Sequence, residues 1–252
     1  MPTRRRFDDP PPQVVYPPFT RLMRVIFAFY AGGWVLGLLL TTFRLGDPPP
    51  GAYGWLERLA LIPSAVTEGR GLWRVFTHAL VLDPHRWAEP IFLGLTLWFM
   101  GGTVEARWGL KRLAVLGAVS TLLGAALALA AARLYLPWWN SLLLGPTAFH
   151  NLILGAWALE SQSQRFSFLG VVEMTGRHFY ALLWVFVAVA FVWDRNLMTL
   201  ISAVGLGVAA LEHARKRREV FAAMAKPSGR GRGALRVIEG GRGRSRDEDL
   251  PN

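Results

Sequence analysis

The sequence predicts an all-α membrane protein: a helical bundle of six spans with a long first loop and a short, irregularly entered fourth span. Three observations point there. First, 52% of the 252 residues are hydrophobic and only 18% are charged, whereas a soluble domain carries roughly 25% charge. Second, apolar runs recur near residues 22–43, 88–105, 112–135, 141–160, 178–194 and 197–213, with short links everywhere except 44–87. Third, Leu144-Gly145-Pro146-Thr147-Ala148-Phe149-His150-Asn151 breaks the fourth run with a Gly-Pro step and then gathers three polar side chains. A helix from Thr147 to Glu160 has 14 residues, about 21 Å at 1.5 Å per residue. That is less than the ~30 Å hydrocarbon core, so the preceding residues must cover the remaining depth in a non-helical path. Such a path is tolerated only where protein or trapped water surrounds it. An enclosed pocket is expected there.

Taken in order, residues 1–20 form a basic, Pro-rich cytoplasmic tail with Arg4, Arg5 and Arg6. Thr3-Arg4-Arg5-Arg6-Phe7 has the look of a twin-arginine export signal, but no apolar region follows directly and no small-residue cleavage site appears, so it is not read as one. The spans occupy 21–213. Within the long loop, the segment from Trp55 to Ile62 mixes apolar residues with Glu57 and Arg58, which suits a helix lying in the interface plane. The third span, from Leu113 to Ala132, is rich in Ala and Gly, and such faces let helix backbones approach closely. Several spans are shorter than 20 residues, implying tilt, bilayer thinning or broken helices. No long internal repeat is visible, which argues against an inverted-repeat transporter. Residues 214–252 form a second basic tail, which begins as a helical extension at Ala214-Arg215-Lys216-Arg217-Arg218 and ends in a Gly- and Arg-rich stretch with too few apolar groups to fold.

Charge sets the orientation. Arg4, Arg5, Arg6 and Arg21, then Arg107, Lys111 and Arg112, then Arg165 and Arg177, and finally Arg215 to Arg218 fall on one side of a six-span chain. Positive residues mark the cytoplasmic side, so both termini are expected in the cytoplasm, with a bacterial inner membrane as the location. The net charge of +11 answers to the anionic inner leaflet; nucleic acid is not an expected partner, despite Arg-Gly steps in 229–233 and 241–245. The chain has no Cys, which excludes disulfides, thiolate nucleophiles and Cys-based metal sites. No metal-ligand spacing, phosphate loop or dinucleotide fingerprint occurs, and neither a metal nor a cofactor is expected.

Two stretches carry a family resemblance. Trp73-Arg74-Val75-Phe76-Thr77-His78-Ala79-Leu80 resembles the Trp-Arg-x-x-Thr segment of rhomboid proteins, and Gly101-Gly102-Thr103-Val104-Glu105-Ala106-Arg107-Trp108-Gly109 is similar to their Gly-x-x-Glu-x-x-x-Gly. Gly205 with Ala209 on the last span adds a small-x-x-x-small pair. The resemblance covers about residues 21–213. It implies a six-span fold and, in active members, intramembrane proteolysis by a Ser-His dyad. Carried across residue by residue, Thr147 stands at the nucleophile, Ser202 at the basic His, and Glu89 and Leu93 at the His and Asn that help hold the oxyanion. The resemblance therefore implies a rhomboid-like pseudoprotease.

The residues themselves leave alternatives. Thr147 is expected to cap its helix, where a hydroxyl can satisfy an orphan amide; the other reading is a nucleophile, which needs an adjacent base. Ser202 cannot serve as that base near neutral pH. His150, three residues on, is the possible rescue base, or else bonds a neighbouring helix. Thr147, Asn151 and Gly155 share one face and Ser202, Gly205 and Ala209 another, which favours close packing of spans four and six. Glu89 is a solvated boundary residue or a pocket acid paired with His85 or Arg86. Glu105 and Arg107 look structural, Gly109 closes that motif, and Trp73 and Arg74 are expected as interface anchors, with Arg74 snorkelling. The expected pocket comprises Glu89, Thr147, His150, Asn151 and Ser202, and its expected partners are transmembrane helices of client membrane proteins or a scaffolded assembly. The alternatives are an atypical active protease using Thr147, and a structural subunit of a larger membrane complex.

Overall fold

The computed structural model describes residues 19–43, 55–168 and 172–225. The protein is mostly helical. Thr20 starts the first helix, α1 (Arg21–Thr42), by accepting a hydrogen bond from the Met23 amide at 3.2 Å. The long connection then folds into three short helices, α2 (Trp55–Leu59), α3 (Pro63–Thr67) and α4 (Arg74–Thr77), the last continuing as a 3-10 turn to Leu80. Next come α5 (Ala88–Thr96), a π-helical turn (Leu97–Gly101) and α6 (Gly102–Trp108), joined without a break. Beyond Gly109 follow α7 (Leu110–Leu134), α8 (Thr147–Glu160), α9 (Gly176–Asp194) and α10 (Leu197–Ala225). Helix α8 has the predicted 14 residues.

Among the described residues, four helices are long and apolar enough to cross a membrane: α1, α7, α9 and Leu197–Met224 of α10. The count differs from the six expected because α8 has only 14 residues and the π turn divides Ala88–Trp108 into pieces of 9, 5 and 7. The all-α expectation also needs correction. An antiparallel hairpin, β1 (Arg165–Phe168) with β2 (Val172–Thr175), fills part of the link between α8 and α9, pairing Arg165 with Thr175 and Phe166 with Met174. Its signal lay in the alternation of Arg165-Phe166-Ser167-Phe168, which is the period of a strand.

The segment expected as an in-plane interfacial helix behaves differently. Helix α2 ends at Leu59, and Leu56, Ala60 and Leu61 are fully buried, with Leu56 and Ala60 packed on Leu144. Leu61 exchanges backbone hydrogen bonds with Leu143 at 3.0 Å in each direction. The apolar face of this segment is thus covered by protein. The lead-in to α8, in turn, gains a partner for its exposed backbone, as a non-helical stretch requires.

Helices α8 and α10 meet backbone to backbone. A Cβ on Gly205 would lie 2.2 Å from the Ala148 carbonyl oxygen and 2.9 Å from the Leu152 amide nitrogen. One turn along α8, a Cβ on Gly155 would lie 3.0 Å from Ala209 Cβ. Helix α7 adds Gly117, against which the Phe149 ring lies, and Gly124, against which Ile201 lies. The predicted pairing of two small faces is present, and the Ala- and Gly-rich α7 packs alongside.

Polar contacts tie the helix ends. At one end Thr20 Oγ1 donates to Glu105 Oε2 at 2.6 Å, Arg107 donates to the Glu160 carbonyl at 2.6 Å, and Trp108 Nε1 donates to Glu160 Oε1 at 2.9 Å. Arg112 pairs with the buried Glu212, and Gln162 meets His213 at 3.1 Å. At the other end the Ser64 amide donates to the Trp139 carbonyl at 2.9 Å, and Trp138 Nε1 donates to the Arg195 carbonyl at 2.6 Å.

The chain divides into two units, Met1–Ala214 and Arg215–Asn252. The second begins with the predicted helical extension, in which Arg215 pairs with Glu219 at 3.3 Å and Arg217 lies over the Phe221 ring. The rest of both tails, residues 1–18 and 226–252, lies outside the described residues, as do residues 44–54 and 169–171.

Two glycines two residues apart on α10 give a matched test of this packing, because nothing lies within 4 Å of a Cβ on Gly207. Gly205→Val should lower the stability of the detergent-solubilised protein by about 3 kcal/mol or more, the upper range of overpacking. Gly207→Val should change it by less than about 1 kcal/mol. Tryptophan-monitored thermal unfolding distinguishes the two.

Candidate functional site

The start of α8 is built around Gly145. Its φ of +110° is open only to glycine in practice, and its amide donates to the His78 carbonyl at 2.9 Å. A Cβ there would stand 2.5 Å from Glu89 Oε1 and 3.6 Å from Thr147 Oγ1. The Glu89 carboxylate and the Thr147 hydroxyl therefore flank the same bare backbone. Pro146 follows as the N-cap residue with no side-chain capping bond, and its carbonyl accepts the His150 amide at 2.8 Å.

This corrects two expectations. Thr147 is the first residue of the helix, and its hydroxyl caps no amide; Pro146 occupies the cap position and has no donor or acceptor side chain to offer. Glu89 is half-buried and makes no ion pair among the described residues. Its Oε2 is buried without a hydrogen-bond partner among the described residues, while Arg86 pairs with Asp83 at 3.6 Å. The carboxylate turns inward because Gly145 leaves the room for it.

The other predicted pocket residues are committed elsewhere. His150 Nε2 and Thr96 Oγ1 share a hydrogen bond at 2.7 Å, which joins α8 to α5. Asn151 Nδ2 donates to the Thr147 carbonyl at 3.0 Å, within its own helix. Ser202 Oγ donates to the Met198 carbonyl at 3.0 Å, also within its own helix. Of the five residues, then, Glu89 and Thr147 share a spot, and the other three satisfy structural bonds. Leu93, at the position where the resemblance implies an Asn, is buried in the apolar core.

The motif residues hold the surroundings. Trp73 Nε1 donates to the Arg58 carbonyl at 3.0 Å while its ring stays exposed, as an interfacial anchor would. Arg74 is half-buried. Its Nε and Nη1 are buried without hydrogen-bond partners among the described residues, and the Nε lies against Gly71, whose φ is +90°. Gly102 is buried within α6, Gly109 (φ +78°) ends that helix, and the Gly109 amide donates to the Glu105 carbonyl at 2.8 Å. Glu105, Arg107, Gly155 and Gly205 make the contacts given above.

Sequence reasoning missed two residues here. His78 is buried, its Nδ1 lies 3.0 Å from the Arg74 carbonyl oxygen, and its own carbonyl anchors Gly145. Desolvation holds this imidazole below its ordinary pKa, so it is neutral at physiological pH. Thr96 was the other, and its signal was modest: a hydroxyl within the apolar run Ile91–Gly101. Among the described residues no group of His, Asp and Glu could hold a metal ion.

No family model matches the chain, and no curated protein matches its sequence. Chemically, the site offers a hydroxyl without an imidazole partner: Thr147 Oγ1 has no hydrogen bond among the described residues, and the nearby His150 bonds Thr96 of α5.

The His150–Thr96 bond gives a test by double-mutant cycle. Thr96→Val should cost about 1–3 kcal/mol, because it leaves a buried imidazole nitrogen unsatisfied. His150→Leu combined with Thr96→Val should cost clearly less than the two single changes added together, read from thermal unfolding of all four proteins.

Proposed function

We propose that this chain is a six-pass, rhomboid-like membrane protein that lacks a hydrolytic dyad and engages transmembrane helices of other membrane proteins. The observation that supports this reading is the separation of hydroxyl and imidazole. The residue at the nucleophile position, Thr147, has no imidazole partner; His150 is bonded to Thr96, and Ser202 to its own helix. A Thr hydroxyl is a weak nucleophile unless a neighbouring base takes its proton.

The six-pass reading draws on the helix ends. Ala88–Trp108 is 9, 5 and 7 residues of continuous helix, about 31 Å at 1.5 Å per residue, enough for the ~30 Å core. Its Glu105 end meets the start of α1, and its Glu89 end meets the start of α8. Helix α8 makes the fourth pass, completed by the extended Leu142–Gly145 stretch that pairs with Leu61 and His78. On this reading the ends tied by Thr20–Glu105 and Arg112–Glu212 are cytoplasmic, since the basic links gather there, and the membrane is a bacterial inner membrane. The unsatisfied Glu89 oxygen beside Thr147 is the group that would recognise a polar residue in a client helix, because a buried polar atom gains most from a partner that desolvation has denied it.

Purified protein in detergent, offered a single-pass test substrate carrying a Gly-Ala break in its membrane helix, should yield no cleavage product. Photo-crosslinks from position 147 to that helix should form and fall at least fivefold in Glu89→Gln. Cleavage that Thr147→Ala abolishes would overturn the proposal.

A further inference from the structure

A groove of about 540 Å³ opens on the bundle between α1 and α7, away from the Gly145 site. Its α1 wall is Val25 and Phe29; its α7 wall is Ala114, Ala118 and Leu122. The floor exists because Gly117 has no side chain and the Phe149 ring of α8 lies against it. The top is closed by Phe76, Ala79 and Leu80, which are held in place where Tyr30 Oη donates to the Ala79 carbonyl at 2.7 Å. The lining is apolar almost throughout, and Val25, Phe29 and Phe76 are more than half exposed. The length from Ala114 to Leu122 is about 12 Å along the helix, close to the ~15 Å of one leaflet's hydrocarbon.

The open end of the groove is basic. Arg21 lies one turn before Val25 on α1, and Lys111 lies one turn before Ala114 on α7, so each shares a helix face with the residue that begins the groove. Side chains on a helix lean toward its N-terminus, and both helices start at this end, so both cations reach toward the membrane surface. Neither makes an ion pair with a described residue, unlike their neighbours Arg107 and Arg112, which pair with Glu160 and Glu212. Apolar walls one leaflet deep, ending at two unpaired cations, match one class of molecule.

We propose that this groove holds one acyl chain of an anionic phospholipid, with its phosphate between Arg21 and Lys111. A neutral lipid would gain the apolar contacts but not the attraction of the two cations near the surface. A second copy of the chain would bring its own Arg21 and Lys111 against the first pair and be repelled. The bound lipid would brace the long loop against α1 and α7, and this site does not rest on the helix-binding reading above.

The test uses full-length, delipidated protein titrated with dioleoylphosphatidylglycerol or dioleoylphosphatidylcholine, with bound lipid counted by native mass spectrometry. One phosphatidylglycerol should be retained about tenfold or more above phosphatidylcholine, in line with two cations. Arg21→Gln with Lys111→Gln should bring the two lipids within about twofold. Ala118→Phe fills the groove from an exposed position and should abolish retention of that lipid with an unchanged thermal transition. Equal retention of both lipids by the natural protein, or a preference that survives the double change, would overturn the proposal. So would a dimer or a co-purifying protein that Ala118→Phe displaces while lipid retention stays the same.

Discussion

Everything near the centre of this protein depends on how closely α10 approaches α8. The point where Gly205 would carry a Cβ is 2.2 Å from the Ala148 carbonyl oxygen. The α-hydrogen that stands there in glycine therefore points at that oxygen, the geometry of a weak Cα–H···O contact. Between apolar helices in lipid there is little hydrophobic force, so association rests on close packing and on polar contacts of this kind. Gly155 against Ala209 repeats the contact one turn on, and Gly124 lets Ile201 of α10 approach α7. A short helix of 14 residues is thereby fixed from two sides, although it cannot reach across a bilayer alone.

That fixation explains the start of α8. The chain before it is extended, and an extended chain must find partners for its amides and carbonyls. Leu61 and His78 of the long loop supply them. Gly145 then turns with a positive φ, and the Glu89 carboxylate occupies the space that a side chain would have filled. The long loop is thus part of the bundle: its buried Leu56, Ala60 and Leu61 complete the wall behind the site. The same loop closes the top of the α1–α7 groove through Ala79, so one segment supports two separate features.

Much of this was legible in sequence, for physical reasons. The bounds of α8 followed from Gly-Pro punctuation and from the shortness of the apolar run, and the α8–α10 contact followed from small residues at a four-residue spacing. The helical run from Ala88 to Trp108 was legible as an apolar stretch, but its π turn was not, because hydrophobic pattern does not report a local change of winding. Thr147 was read as a cap because its hydroxyl is the usual capping group; Pro146 took that position, and no propensity argument separates neighbours one residue apart. Glu89 read as a boundary residue because its inward turn depends on Gly145, 56 positions away in the chain. Thr96 and His150 are likewise 54 residues apart; single-sequence reasoning sees each polar group but not which one it meets. The hairpin of β1 and β2 was lost in a link judged only by its length.

The most direct measurement of the α8–α10 contact is disulfide formation in native membranes. The chain has no natural Cys, so introduced pairs react without background. A Cβ at position 155 lies 3.0 Å from Ala209 Cβ, near the Cβ separation of about 3.5–4.5 Å that a disulfide adopts. Gly155→Cys with Ala209→Cys should cross-link nearly completely under mild oxidation, before any denaturant, while Gly155→Cys with Gly207→Cys should not. Failure of the first pair in folded protein, or equal reaction of the second, would contradict the packing on which the whole account rests.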